Sequence, residues 1–188
     1  MNAFDFDNTL YHGESSVDLA IFMIRNNKKI ILWLPKIFIN LLRYKLCLIS
    51  RERIEELINS FMQNVLHDRE EVLGIMDEFW AQHAHKLDTS LISRIGKDDI
   101  IISAGPSFLL EAISDKLGTH NLICSEVDFD TMSVARLCFG ENKVKRFREL
   151  YGDSGIGTFY TDSYNDKAFM DISEQVFIVK KGRIKRIK

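Results

Sequence analysis

Asp5 and Asp7 stand two positions apart near the beginning of the chain, in Asp5-Phe6-Asp7-Asn8-Thr9-Leu10. Asn2 to Phe6 reads as a short strand, and in an extended chain residues two apart face the same side. The two carboxylates therefore aim into one small space, where they repel unless a cation or a shared proton lies between them. Acidic residues are also poor strand formers. A hard ion such as Mg²⁺ is the simplest reason for a sequence to accept that cost at a strand tip. The competing reading is a surface turn that binds nothing, since Asn8 and Gly13 supply turn residues just beyond.

Three later stretches carry complementary chemistry. Ser103-Ala104-Gly105-Pro106 lies where a buried strand turns into a helix. Free backbone N–H groups and the helix dipole make such a turn an anion site, small residues let a phosphate approach, and the Ser103 hydroxyl adds a donor. An ordinary strand-to-helix turn with Pro106 in the first helical turn explains the same residues. Gly140-Glu141-Asn142-Lys143 opens a helix, and Lys143 offers the point positive charge that a transferring phosphoryl group needs. Lys145 is its rival, although Lys145 followed by Arg146 has the look of a solvated face. In Thr161-Asp162-Ser163-Tyr164-Asn165-Asp166, Asp162 and Asp166 are four apart and can converge on one ion. Magnesium takes only one or two protein carboxylates directly. Asp162 is thus expected as a direct ligand, with Asp166 acting through water or as an orienter.

The elements that must position these groups follow from hydrophobic period. Ser15 or Ser16 can cap a helix to about Asn27, and a second helical region kinked at Pro35 follows. Ser50 caps a helix whose Ile54, Leu57, Ile58, Phe61, Met62 and Val65 form one apolar stripe. Asp68 and Glu71 have capping-box spacing ahead of Val72, Met76, Phe79 and Trp80. Residues 13–87 are therefore expected as a helical cap, inserted after the first strand. Beyond Asp88 the period changes. Asp99–Ser103 and Asn121–Cys124 read as buried strands, Phe108–Leu117 as a helix closed by Gly118, and Glu126–Phe139 as a hairpin or loop. Glu141–Tyr151 reads as a helix, Thr158–Thr161 as a strand, and a short helix starts near Asp166. Gln175–Val179 and Arg183–Ile187 close the chain as strands around Lys181-Gly182. Strands alternating with helices predict an α/β fold with a doubly wound, mostly parallel sheet, formed by residues 1–12 and 88–188. Ligands bind at the carboxyl ends of such strands, where every motif above falls.

Bulk properties set the frame. A chain of 188 residues buries roughly 70% of its unfolded surface, enough for a core with one sizeable insertion. It is 46% hydrophobic and 28% charged, ordinary for a soluble globular protein. A net charge of −2 exerts no global pull toward nucleic acid or an anionic membrane. The apolar stretch Ile30–Ile49 has the length of a membrane span, but Lys36, Asn40, Arg43 and Lys45 interrupt it and Pro35 breaks it, so no stable membrane insertion is expected. Cys47, Cys124 and Cys138 are odd in number and widely spaced. They read as reduced, packed thiols of a cytoplasmic protein, with no signal peptide expected ahead of Asp5. The sequence marks no oligomeric state.

Taken in order, Asp-x-Asp-x-Thr near the amino terminus, Ser103 after a buried strand, Lys143 opening a helix, and Asp162-Ser-x-x-Asp166 resemble the motifs of the haloacid dehalogenase (HAD) superfamily. The nearest likeness is to its phosphoserine-phosphatase-like branch, in which a helical cap follows the first motif. The resemblance implies a phosphatase acting on a small phosphomonoester with Mg²⁺ as cofactor. It implies Asp5 as nucleophile, forming an aspartyl-phosphate, and Asp7 as general acid and then base. The Asp5 carboxylate, the Asp7 carbonyl and Asp162 would hold the ion, with Asp166 beside them. Ser103, Gly105 with its neighbour Ala104, and Lys143 would grip the phosphoryl oxygens. The presence of Asp7 and of the Asp162/Asp166 pair speaks against the dehalogenases of the superfamily, and Asp7 also against its ion pumps, which carry Thr there.

This chain departs from that pattern in two places. Thr161 stands where relatives usually have Gly, and Lys180-Lys181-Gly182 replaces an Asn-Pro-Asp-like segment. The cap shows no substrate-carboxylate clamp. Its Phe22, Trp33, Phe38 and Phe61 read first as core, although a cap rich in Leu, Ile and Phe leaves room for a hydrophobic alcohol or lipid head group as leaving group. His83, His85 and Asp88 read as structural rather than as a second metal site. The basic segment Lys180–Lys188 reads as a charged edge strand. A phosphotransferase using the same residues, or a catalytically idle binding protein of the same fold, are the alternatives to a phosphatase.

Overall fold

The computed structural model describes residues 1–45, 48–66, 68–138, 140–180 and 182–188. Its strands are β1 (Ala3–Asp5), β2 (Ile100–Pro106), β3 (Leu122–Asp128), β4 (Ser133–Arg136), β5 (Ile156–Thr161), β6 (Ser173–Lys180) and β7 (Arg183–Arg186). Its helices are α1 (Ser15–Asn26), α2 (Leu34–Lys45), α3 (Arg51–Val65), α4 (Arg69–His83), α5 (Thr89–Ile92), α6 (Ser107–Glu111), α7 (Ser114–Leu117), α8 (Glu141–Tyr151) and α9 (Lys167–Asp171). The strands form one sheet in the order β4-β3-β2-β1-β5-β6-β7. Its five middle strands run parallel, and β4 and β7 are antiparallel additions at the two edges. This is the expected mostly parallel α/β fold.

β1 lies at the centre, with Ala3 opposite both Ile100 of β2 and Phe159 of β5. Covered on both sides, it must be apolar on both faces. Its residues alternate accordingly. Phe4 and Phe6 join Ile101 in the cluster beneath α1, α4 and α6, whereas Ala3 joins Ile100, Ile102, Phe147 and Phe169 beneath α8 and α9. Asp5 shares the parity of Ala3, so strand geometry points it toward the α8 side.

Helices α1 to α4 fill the interval between β1 and β2, as the 3.6-residue stripes predict. Asp68 caps α4, its Oδ1 accepting from the Glu71 amide at 2.8 Å. Val72, Met76, Phe79 and Trp80 are all buried, and the Trp80 indole donates to the Leu109 carbonyl at 2.8 Å. α4 is thereby part of the same apolar cluster as Phe4 and Phe6. α1 is tied down by Asp18, which accepts from the Tyr11 hydroxyl at 2.6 Å and from Lys86 at 2.7 Å.

The differences from the expected elements have local causes. Ser15 does not cap α1; Glu14 holds the N-cap position without a side-chain cap bond, and the Ser15 amide is taken by Asp7. Pro35 sits in the first turn of α2, after a 3₁₀ segment at Lys28–Trp33, where its missing N–H costs nothing. Ser50 occupies the N-cap position of α3 without a side-chain cap bond. Phe108–Leu117 is two short helices, because the chain turns at Ala112–Ile113 to bury Ile113, with the Ser114 hydroxyl donating to the Glu111 carbonyl. Gly118 then closes α7 at φ +80°, in the left-handed region. Where a hairpin or loop is expected after Glu126, β3 and β4 form a hairpin, clasped by α3: Asn59 accepts from the Val134 amide and Gln63 donates to the Thr131 carbonyl.

Cys124 and Cys138 are buried free thiols, and burial raises the pKa of both. The charged strand β7 lies at the sheet edge. The His83 ring stacks on Phe79. Among the described residues no helix is long and apolar enough to cross a membrane. Cys47, Lys181, Phe139 and the Phe38 side chain lie outside the described residues.

Candidate active site

The carboxyl ends of β1, β2 and β5 meet the amino end of α8 around a pocket of about 390 Å³. Asp5, Asp7, Ala104, Lys143, Asp162 and Asp166 line it. The parallel register of β1 and β5 makes this meeting possible. Phe4 pairs with Tyr160, so continuing each strand brings Asp162 beside the segment that carries Asp7.

Asp5 is only 7% exposed. Its Oδ1 is 3.3 Å from Lys143 Nζ, and the buried Thr9 hydroxyl donates to its Oδ2 at 3.5 Å. Burial pushes the Asp5 carboxyl up to about 8; Lys143 opposes this, and Asp166, Asp162 and Asp7 add to it. Lys143 is buried as well. Burial works against its charge, but Asp5 and Asp166 outweigh it and hold the amine above its ordinary value. α8 is amphipathic, with Phe147 on its buried face, and Lys143 lies one turn before Phe147 on that face. Lys145 is exposed.

Asp7 is oriented from two sides. Its Oδ1 accepts from the Ser15 amide at 2.7 Å, and its Oδ2 accepts from the Ser103 hydroxyl at 3.5 Å. The sharp turn after it holds Asn8 at φ +56°, a conformation that Asn tolerates. The Asn8 side chain closes that turn by donating to Glu14 at 2.6 Å. On β2, Ser103 Oγ accepts from the Gly105 amide at 3.0 Å. A side chain on Gly105 would begin 3.0 Å from Ser16 Oγ and 3.2 Å from Ser103 Oγ, so the two hydroxyls would have to shift by a few tenths of an ångström to admit one.

Asp166 does not stand free beside Asp162. Its Oδ1 accepts from Lys143 at 2.8 Å and its Oδ2 lies 3.3 Å from the fully buried Thr161 hydroxyl. The Thr161 hydroxyl also accepts from the Ser163 amide at 3.3 Å. This pinned position fits the orienting role for Asp166 better than the direct binding of an ion. Burial, then Asp166, raises the Asp162 carboxyl.

Five acidic side chains, those of Asp5, Asp7, Glu14, Asp162 and Asp166, share the pocket with Lys143, an excess of negative charge that a cation relieves. Among the described residues no three acidic, His or Cys side chains form a ready-made metal cage. Hard oxygen donors from Asp5, Asp7 and Asp162 nevertheless suit an ion that keeps several waters and takes one or two carboxylates. Thr161, the Ser15 amide, Asn8 and Glu14 were invisible as site residues in the sequence. For Thr161 the signal was its departure from the Gly usual in relatives.

Fold and site together define a class. Residues 3–171 match the family model of haloacid dehalogenase-like hydrolases, so the chain belongs to that family of hydrolases. The chain matches none of the curated proteins. Among solved structures it resembles a protein of unknown function from Bordetella pertussis Tohama I, at 20% identity and TM-score 0.73, over 91% of this chain and 85% of that one. It also resembles a phosphoserine phosphohydrolase-like protein from Francisella tularensis subsp. tularensis SCHU S4, at 19% identity and TM-score 0.55, over 94% and 86%. A third likeness is to a phospho-aspartyl intermediate analogue of phosphoserine phosphatase, at 15% identity and TM-score 0.51, over 93% and 83%. At these identities the likeness is one of fold.

Proposed function

We propose that this chain is a Mg²⁺-dependent phosphomonoester phosphatase working through a phosphorylated Asp5. The observation that carries the reading is the convergence on one pocket of a buried carboxylate held by a buried lysine, a second carboxylate oriented by the Ser15 amide, and Ala104 of the turn that follows Ser103. A bound divalent ion supplies positive charge that favours the ionised form of Asp5 and neutralises the phosphoryl oxygens.

Asp5 Oδ forms a bond to phosphorus as the bond from phosphorus to the alcohol oxygen breaks. Asp7 gives its proton to that departing oxygen, so an alcohol leaves rather than an alkoxide. Water then attacks the phosphoryl group, Asp7 takes the proton from the water, and the bond to Asp5 breaks, releasing phosphate. The Ser15 amide and Ser103 hydroxyl hold Asp7 at the correct angle for both transfers. Lys143 meets the charge on the phosphoryl oxygens, and Asp166 with Thr161 fixes where Lys143 points. The helical insertion of residues 13–87 acts as the cap over this rim, excluding bulk water.

Phosphate release from phenyl phosphate tests the reading. Turnover is expected with Mg²⁺ and is expected to vanish with EDTA and to return when Mg²⁺ is restored. Turnover that is indifferent to EDTA would overturn the metal dependence, and no turnover on any phosphomonoester would overturn the phosphatase.

A further inference from the structure

On the far side of Ala104 from the carboxylates lies a second cavity, of about 280 Å³. Leu19 and Met23 of α1 and Ile58 and Phe61 of α3 form its walls, and the Ala104–Pro106 turn of β2 forms its floor. The β3–β4 hairpin closes the side through Val127 and Val134. None of the described lining residues is charged.

Its polar groups are nearly spent. The Ser125 hydroxyl donates to the Ala104 carbonyl at 2.7 Å and accepts from the Cys138 amide at 3.0 Å. Its proton is therefore committed. Ser16 is exposed at the mouth, against Gly105, and is the remaining lining hydroxyl among the described residues. Ala104 lines both this chamber and the carboxylate pocket, so a phosphoryl group at the rim can send its alcohol directly into the chamber.

From this we infer that the substrates are phosphomonoesters of apolar alcohols, with an alkyl or aryl group occupying the chamber. The inference rests on the phosphatase reading above. An ammonium or carboxylate on the leaving group would be stripped of water in the chamber with no partner there, which costs far more than one hydroxyl can return. An aliphatic chain loses nothing and gains burial. The volume sits just below the ~300–1,000 Å³ usual for small-molecule sites, so a short chain or single ring fills it. The same chemistry is offered by a small soluble ester and by the first carbons of a phospholipid.

The test is a panel of methyl, butyl, hexyl, octyl and phenyl phosphates beside phosphoserine, phosphoethanolamine and a hexose phosphate, all monomeric and with Mg²⁺. A second arm presents phosphatidic acid in phosphatidylcholine vesicles. The expected result is a kcat/KM that rises about fourfold per methylene until the chamber is full, with the charged and polyhydroxylated esters far below. Ala20→Leu, at an exposed position of α1 on the chamber wall, should shift the preference to shorter chains. Phe61→Ala should shift it to longer ones. Preference for the monomeric esters identifies a soluble source, and preference for the vesicles identifies a lipid; both support the apolar class. Best turnover on phosphoserine, phosphoethanolamine or the sugar phosphate would refute this inference and leave the phosphatase standing. Hydrolysis of no member would overturn both.

Discussion

The rim and the chamber on either side of Ala104 are built by opposite means. At the rim each group has a named polar partner: Asp5 with Lys143, Asp7 with the Ser15 amide, and Asp166 with Lys143 and Thr161. In the chamber the lining is almost wholly apolar and offers no charged partner. Hydrogen bonds and charge fix angles, which is what in-line transfer requires. Burial rewards size without fixing angle. On the proposed reading the two regions separate the reaction from the choice of substrate, and substitutions in them should fail differently: rim changes in kcat for every ester, chamber changes in the ranking of esters.

The largest effect is expected at Asp5. Asp5→Asn keeps the shape and removes the nucleophile, so kcat should fall on the order of 10⁴-fold or more for every substrate. Lys143→Ala comes next, with a loss on the order of 10²–10³-fold, whereas exposed Lys145→Ala should stay within about twofold. A greater loss at Lys145 would break the assignment of the rim. Thr161→Val, nearly isosteric, releases one side of Asp166 and should lower kcat about tenfold with little change in the ranking of esters. Steady-state kinetics on the ester panel read all four.

The rim also makes stability depend on pH. In the folded chain without a divalent ion, Asp5 keeps its proton up to about 8, against an ordinary value of 3.8. Between those values the folded chain binds one more proton than the unfolded chain, so stability falls as pH rises through that window and levels off above it. Denaturant titrations at pH 5 and pH 8 should differ by on the order of a few kcal/mol. Asp5→Asn should flatten that difference, and Mg²⁺ should shrink it by stabilising the folded state at the higher pH. A slope unchanged in Asp5→Asn would mean that another group carries it.

What the sequence revealed and what it hid follow the same division. Alternation placed Asp5 and Asp7 together, strand–helix alternation put the motifs at one sheet rim, and the Asp68–Glu71 spacing located α4. These are short-range patterns. Asp7 orienting on the start of α1 depends on the turn from Asn8 to Gly13, whose geometry no spacing encodes. Thr161 became visible as a holder of Asp166 only when the loop closed. The chamber was least legible of all. Its walls come from α1, α3, the β2 turn and the hairpin, far apart in the chain, and each side chain alone is ordinary core.

The most direct test of the central claim is to quench the enzyme in acid during turnover and locate phosphate on the protein by peptide mass spectrometry. One phosphoryl group is expected on the peptide that contains Asp5, lost on treatment with hydroxylamine and missing in Asp5→Asn. Steady turnover with no labelled peptide, or with the label on a residue other than Asp5, would contradict it.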